Sequence, residues 1–103
     1  MHLSEESEHL KKMQQGDYDA FSAVFNHFYP SLVFFARKMV TPEPAAEDIV
    51  TEIFLKLWQK HAGFSTLQSV KAFLYISTRN ACINYMEHAK YQNKVKDKLS
   101  YLL

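Results

Sequence analysis

The sequence is poor in the residues that break or cross-link a chain. Of its 103 residues, two are glycine, three are proline and one is cysteine. The lone Cys82 excludes an internal disulfide and suits a reducing compartment, so the cytoplasm is the expected location. No apolar run approaches the roughly 20 residues that a membrane span needs. The leading stretch Met1–Met13 is acidic and carries no apolar segment of the signal-peptide kind. Alternating strand patterns, internal repeats and low-complexity stretches are all missing. What is there is a chain of one-domain length, 48% apolar and 15% aromatic, which suffices for a core without covalent staples.

The few breakers fall where helices should end. Ser4–Gln15 reads as a first helix, stopped by Gly16. Asp17 then caps a long helix from Tyr18 to about Val40, whose Phe21, Val24, Phe25, Phe28, Leu32, Phe35 and Met39 recur at three and four. Pro30 lies inside it and should bend or interrupt it. Thr41-Pro42-Glu43-Pro44 is a break, and Pro44 suits the first turn of a third helix running to about His61. The stretch 62–68 reads as a loop. Ser69 is the expected cap of a last helix reaching about Leu99. The expected fold is an all-α, compact bundle of about four helices, with a core spanning about 16–90 and a basic helical tail over about 90–103.

Net charge is only +1, but its distribution is uneven. Met1–Ala20 carries five acids against Lys11 and Lys12, while Arg79–Leu103 carries Arg79, Lys90, Lys94, Lys96 and Lys98 against Glu87 and Asp97. A basic end permits nucleic-acid contact, yet on charge alone an ordinary solvated helix end explains it as well. Signs of catalysis are missing. His61, Cys82 and His88 show no metal-ligand spacing and read as packing or surface residues. Asp17, Asp19 and the Glu5-Glu6-Glu8 run read as caps and solvated surface. There is no glycine-rich phosphate loop, and no serine or cysteine has a recognisable base partner. No enzyme, metal or cofactor is expected, and Trp58 reads as a core edge.

Two helices carry the information. In the third, Ala46, Ile49, Val50, Ile53, Phe54 and Leu57 share one face and form core. Asp48, Thr51, Glu52, Leu55 and Gln59 lie opposite. They read either as solvated surface with one stray leucine or as a docking stripe for a basic partner helix, and spacing favours the former. In the last, Phe73, Ile76 and Ile83 point one way and Leu74, Ala81 and Tyr85 another, with Ser77, Thr78, Arg79, Asn80 and Asn84 between them. Polar groups in such a setting need partners or face a cleft for a polar ligand. An extruded base would suit that cleft.

Three blocks, in order, resemble region 2 of bacterial RNA polymerase sigma factors of the extracytoplasmic-function type. GDYDAFSAVFNHFYPSLVFFARKMV is similar to the region 2.1 helix, AEDIVTEIFLKLW to the polymerase-docking helix of region 2.2, and FLYISTRNACINYM to the promoter-recognition helix of regions 2.3 and 2.4. Together they cover about Gly16 to Lys90. The aromatic style and the TRNACINY wording are similar to sigma factors of Bacteroidetes.

The resemblance implies a transcription-initiation module that binds polymerase core and recognises and helps melt the minus-ten element. Asp48, Thr51, Glu52, Leu55 and Gln59 would meet the clamp helices of the β′ subunit. Asn80 would help hold a base extruded from the non-template strand, and the loop with Phe64, Ser65 and Thr66 would complete that pocket. Lys56, Lys71 and Arg79 would contact phosphates, with Lys90 and Lys94 on the duplex upstream. An anti-sigma factor is an expected partner by analogy with the family.

This sequence departs from the family at Thr51, where glutamine is usual, at Asn84, where aspartate is usual, and at Met86-Glu87, near a common leucine-arginine pair. Nothing in it resembles the helix-turn-helix domain that reads the minus-thirty-five element, and truncation is the expected reason. The competing reading is a helical protein-interaction domain with no nucleic-acid role and an incidental basic tail.

Overall fold

A computed structural model describes residues 3–103, with side chains from Glu8 onward. Four helices follow in order: α1 (Leu3–Gln14), α2 (Tyr18–Arg37), α3 (Glu43–Gln59) and α4 (Leu67–Leu102), with a short 3-10 turn, His61–Gly63, before α4. No strand occurs among the described residues, so the fold is all-α as expected. The expectation of solvated surface at Glu5 and Glu6 lies outside the described side chains.

Local chemistry sets the joints. Gly16 ends α1 at φ 86°, a left-handed conformation that glycine adopts without penalty. Asp17 caps α2 by accepting the Ala20 N–H at 3.0 Å. Pro30 does not interrupt α2, which runs continuously past it. A proline in a helix interior costs about 3 kcal/mol. Here Phe28, Leu32 and Val33 are buried on either side of it, and each such side chain returns roughly 1.5–3 kcal/mol. The Thr41–Pro42 peptide is cis, and Pro42 occupies the cap position of α3. Arg37 and Glu43 form an exposed ion pair of 3.5 Å across this joint, a contact of little energetic weight.

Several boundaries differ from expectation: α2 ends at Arg37 and not about Val40, and α4 reaches Leu102 and not about Leu99. Helix α3 ends at Gln59, and His61 belongs to the 3-10 turn. Ser69 is not the cap of α4. Thr66 is, with its hydroxyl accepting the Ser69 N–H at 3.0 Å, while Ser69 Oγ answers from the third helical position. Two neighbouring hydroxyl residues compete for the cap, and the reciprocal capping box selects the earlier one.

Helix α3 is the middle element. Its one buried face packs against both α2 and α4, which also pack on each other, while α1 packs against α2 and the 3-10 turn. Ala46, Val50, Ile53, Phe54 and Leu57 of α3 are buried, as are Val24, Phe28, Leu32 and Ala36 of α2 and Leu10 and Met13 of α1. Phe54 gathers Phe25, Phe21 and Tyr29 at ring-centroid distances of 4.8, 6.5 and 6.3 Å. Helix α4 contributes Val70, Leu74, Thr78 and Cys82, one residue per turn. Beyond Ile83 it leaves the body, and its last 20 or so residues project about 30 Å, giving a molecule of 63 × 22 × 19 Å.

Thr78 is fully buried, and its Oγ1 meets no hydrogen-bond partner among the described residues. Thr78→Val keeps the shape and removes the desolvated hydroxyl. It should raise stability by about 1 kcal/mol in urea unfolding, and a loss of stability would show that the hydroxyl is bonded. Burial also pushes the Cys82 thiol above its ordinary pKa. The folded state therefore keeps a proton that the unfolded state releases. Stability is full below the unfolded thiol's pKa and falls as pH rises toward the folded value. Above about pH 8.5, wild type should lose stability more steeply than Cys82→Ala; parallel curves would count against this.

Candidate functional site

The outward stripe of α3 forms as the periodicity predicts. Asp48, Thr51, Glu52, Leu55 and Gln59 are all exposed, with Leu55 at 55%. They do not all point the same way. Asp48, Glu52, Leu55 and Gln59 face directly away from the core, whereas Thr51 sits on the flank toward Trp58. There it lines a groove of about 270 Å³ with Leu55 and the rings of Tyr18, Phe21, Phe25, Phe54 and Trp58. A short side chain at 51 leaves this aromatic groove open. Trp58 is a half-buried core edge, stacked between Tyr18 at 4.9 Å and His61 at 4.8 Å.

The second surface lies along α4. Because a residue advances about 100° around the helix, Ile76, Arg79, Asn80, Lys90 and Lys94 fall on one face, within about a third of the circumference. All five are exposed, Ile76 at 61%. Lys98 continues this face, and Glu87 and Asp97 interrupt it. Arg79 and Lys94 are about 22 Å apart along the axis, a span over which cations can follow a nucleic-acid backbone. Of the exposed apolar side chains of the tail, Val95, Leu99 and Leu102 occupy a different side with Tyr91 at its edge, whereas Tyr101 falls on the basic face.

The loop meets this face at Phe73. Phe64 is half-buried, with its ring edge-on to Phe73 at 5.2 Å. Phe73 and Asn80 share a helix side, about 10 Å apart, with exposed Ile76 near the line between them. Phe64 and Phe73, with Ile76 and Asn80 further along the same side of α4, therefore set apolar side chains and one amide along one strip, the chemistry suited to a base. Ser65 and Thr66 are exposed, but Thr66 Oγ1 already serves as the α4 cap.

The remaining candidates divide. Lys56 is exposed on α3, one turn before Lys60, whose Nζ sits 5.7 Å over the Phe73 ring, so Lys60 borders the strip. Lys71 is exposed on the other flank of α4, the side of Tyr75, and is not brought together with Asn80. Sequence reasoning did not single out Lys60 or the exposure of Ile76 beside Asn80, although the seven-residue step from Phe73 to Asn80 points to a shared face. Among the described residues no cluster of His, Cys, Asp or Glu could hold a metal ion, and no helix is long and apolar enough to cross a membrane.

The sigma-70 region 2 family matches the chain over residues 24–91, from the second turn of α2 to the start of the tail. The chain belongs to that family. Region 2 is the part of a sigma factor that recognises the minus-ten promoter element and binds core RNA polymerase, so this domain is a transcription-initiation module. No curated protein and no solved structure gives a significant match. Within the region 2 domain, the match contains the α3 stripe, the loop and the α4 face as far as Lys90. It leaves out α1 and the tail from Gln92.

If the α4 face carries phosphates, Lys90→Ala and Lys94→Ala should weaken promoter binding equally for every sequence. Each should lower the slope of log affinity against log salt by about 0.9 on duplex, or 0.7 on single strand. An unchanged slope would remove that lysine from the interface.

Proposed function

We propose that this region 2 domain belongs to a sigma factor of the extracytoplasmic-function type, as its sequence blocks suggest. It docks on the β′ clamp helices of polymerase through Asp48, Glu52, Leu55 and Gln59, with Thr51 at the margin. It reads the minus-ten non-template strand along the loop and α4. Phe64, Ser65 and Asn80 meet an extruded base, Lys56 and Arg79 hold adjacent phosphates, and Lys90 and Lys94 track the duplex upstream. Thr66 frames the loop from its cap position, and Lys71 touches backbone only if the strand wraps around α4. The working location is the cytoplasm, where polymerase is, and an anti-sigma factor is the proposed regulator.

The observation that carries this reading is the separation of the two surfaces. The acidic, leucine-bearing face of α3 and the basic, amide-bearing face of α4 share no residue. Acid against a basic clamp helix and cation against phosphate are each complementary, and each would be repelled by the other partner. Capture of a single strand stabilises the open form of the promoter, so binding itself favours melting.

Docking is tested by titrating fluorescent polymerase core with Asp48→Ala and Leu55→Ala. An exposed leucine at the centre of an interface and its neighbouring charge should each cost about tenfold in affinity, with helical content unchanged. Wild-type affinity in the double variant would place the clamp elsewhere.

A further inference from the structure

We infer that α1 is a positioning element for the DNA-reading loop, acting through Gln14. This rests on the proposal that the Phe64–Thr66 loop contacts the promoter strand. Helix α1 itself lies before the region matched to the family.

Gln14 reaches the loop at two points. Its backbone carbonyl accepts a hydrogen bond from His61 Nδ1 at 3.0 Å, and its side-chain amide donates to the Phe64 carbonyl. The two bonds bracket the 3-10 turn His61–Gly63. A loop has no ladder of its own, so the direction in which Ser65 and Thr66 leave that turn depends on such outside bonds. The His61 ring is held further. It stacks on Trp58, and it lies so near the chain reversal after α1 that a Cβ at Gly16 would stand 3.6 Å from it. Gln14 in turn sits on a fixed support, because Leu10 and Met13 of the same helix are buried in the core. Side chains on rigid elements hold a site more closely than side chains on loops. Between α1 and the loop lies a cleft of about 370 Å³ lined by Glu8, Lys11, Gln14 and Ser65, so α1 also borders the loop's outer side.

The anchoring of α1 and the grip on the loop use different residues. Gln14 can therefore be changed without releasing α1. In Gln14→Ala the Phe64 carbonyl loses its donor, and Gln14→Glu keeps the size of the side chain while removing the same donor. Both variants should change in the same direction, Gln14→Glu by more because its carboxylate is repelled by the Phe64 carbonyl.

The test uses the full chain with polymerase core and minus-ten non-template oligonucleotides varied one position at a time, alongside hydrogen exchange of the loop amides. Both Gln14 variants should speed exchange in residues 61–66 and reduce discrimination at the loop-read position by about threefold to tenfold, the range for one lost hydrogen bond. Core affinity should stay unchanged. Ser65→Asp serves as the reference. If Ser65→Asp shifts base preference and the Gln14 variants do not, the role assigned to α1 is overturned while the reading loop stands, even if exchange is faster. If Ser65→Asp shifts nothing, the loop does not read DNA, and the role of α1 falls together with the loop's part of the proposed function.

Discussion

Helix α3 is buried along one face between two neighbours, and the rest of the molecule is arranged by that burial. Ala46, Val50, Ile53, Phe54 and Leu57 point inward, which obliges Asp48, Glu52, Leu55 and Gln59 to point out. The same burial fixes α4. Val70, Leu74, Thr78 and Cys82 turn toward the core, so Ile76, Arg79 and Asn80 must turn away. Small side chains at 78 and 82 end the packed stripe, and α4 then continues into solvent with its lysines on the face already defined by Asn80. Both proposed surfaces are thus the outer sides of helices whose inner sides form a single core.

Much of this was legible in the sequence because it depends on helical period. The core faces of α2 and α3 followed from three-and-four spacing, and the joints followed from Gly16, Asp17 and the two prolines at 42 and 44. The errors arose where local rules compete. Of the two outcomes expected at Pro30, a bend or an interruption, the interruption does not occur, because flanking buried side chains outweigh the lost backbone bond. Thr66 and Ser69 are both competent caps, and only the reciprocal geometry shows which one begins the helix. Thr78 looked like part of a polar lining and is instead enclosed by core. Lys71 and Arg79 look equivalent as charges, yet α4 turns them to different sides.

The contacts that shape the loop could not have been read from period or motif. Gln14 is separated from Phe64 by 50 positions and from His61 by 47. Nothing in either local pattern announces the pairing, because a glutamine near a helix C-terminus is an ordinary surface residue. Likewise the aromatic groove beside Thr51 is assembled from α2 and α3. A short residue at 51 carries a consequence only once Tyr18, Phe21 and Trp58 are seen around it.

Docking and reading are proposed to occupy separate faces of one small domain, so that polymerase and promoter strand are held together. This is tested by the anisotropy of a labelled minus-ten non-template oligonucleotide, titrated with this chain in the presence and absence of polymerase core. A ternary complex is expected, in which core is added to the oligonucleotide-bound chain without releasing the strand. Displacement of the oligonucleotide by core in competitive fashion would contradict it, because the two partners would then share one face.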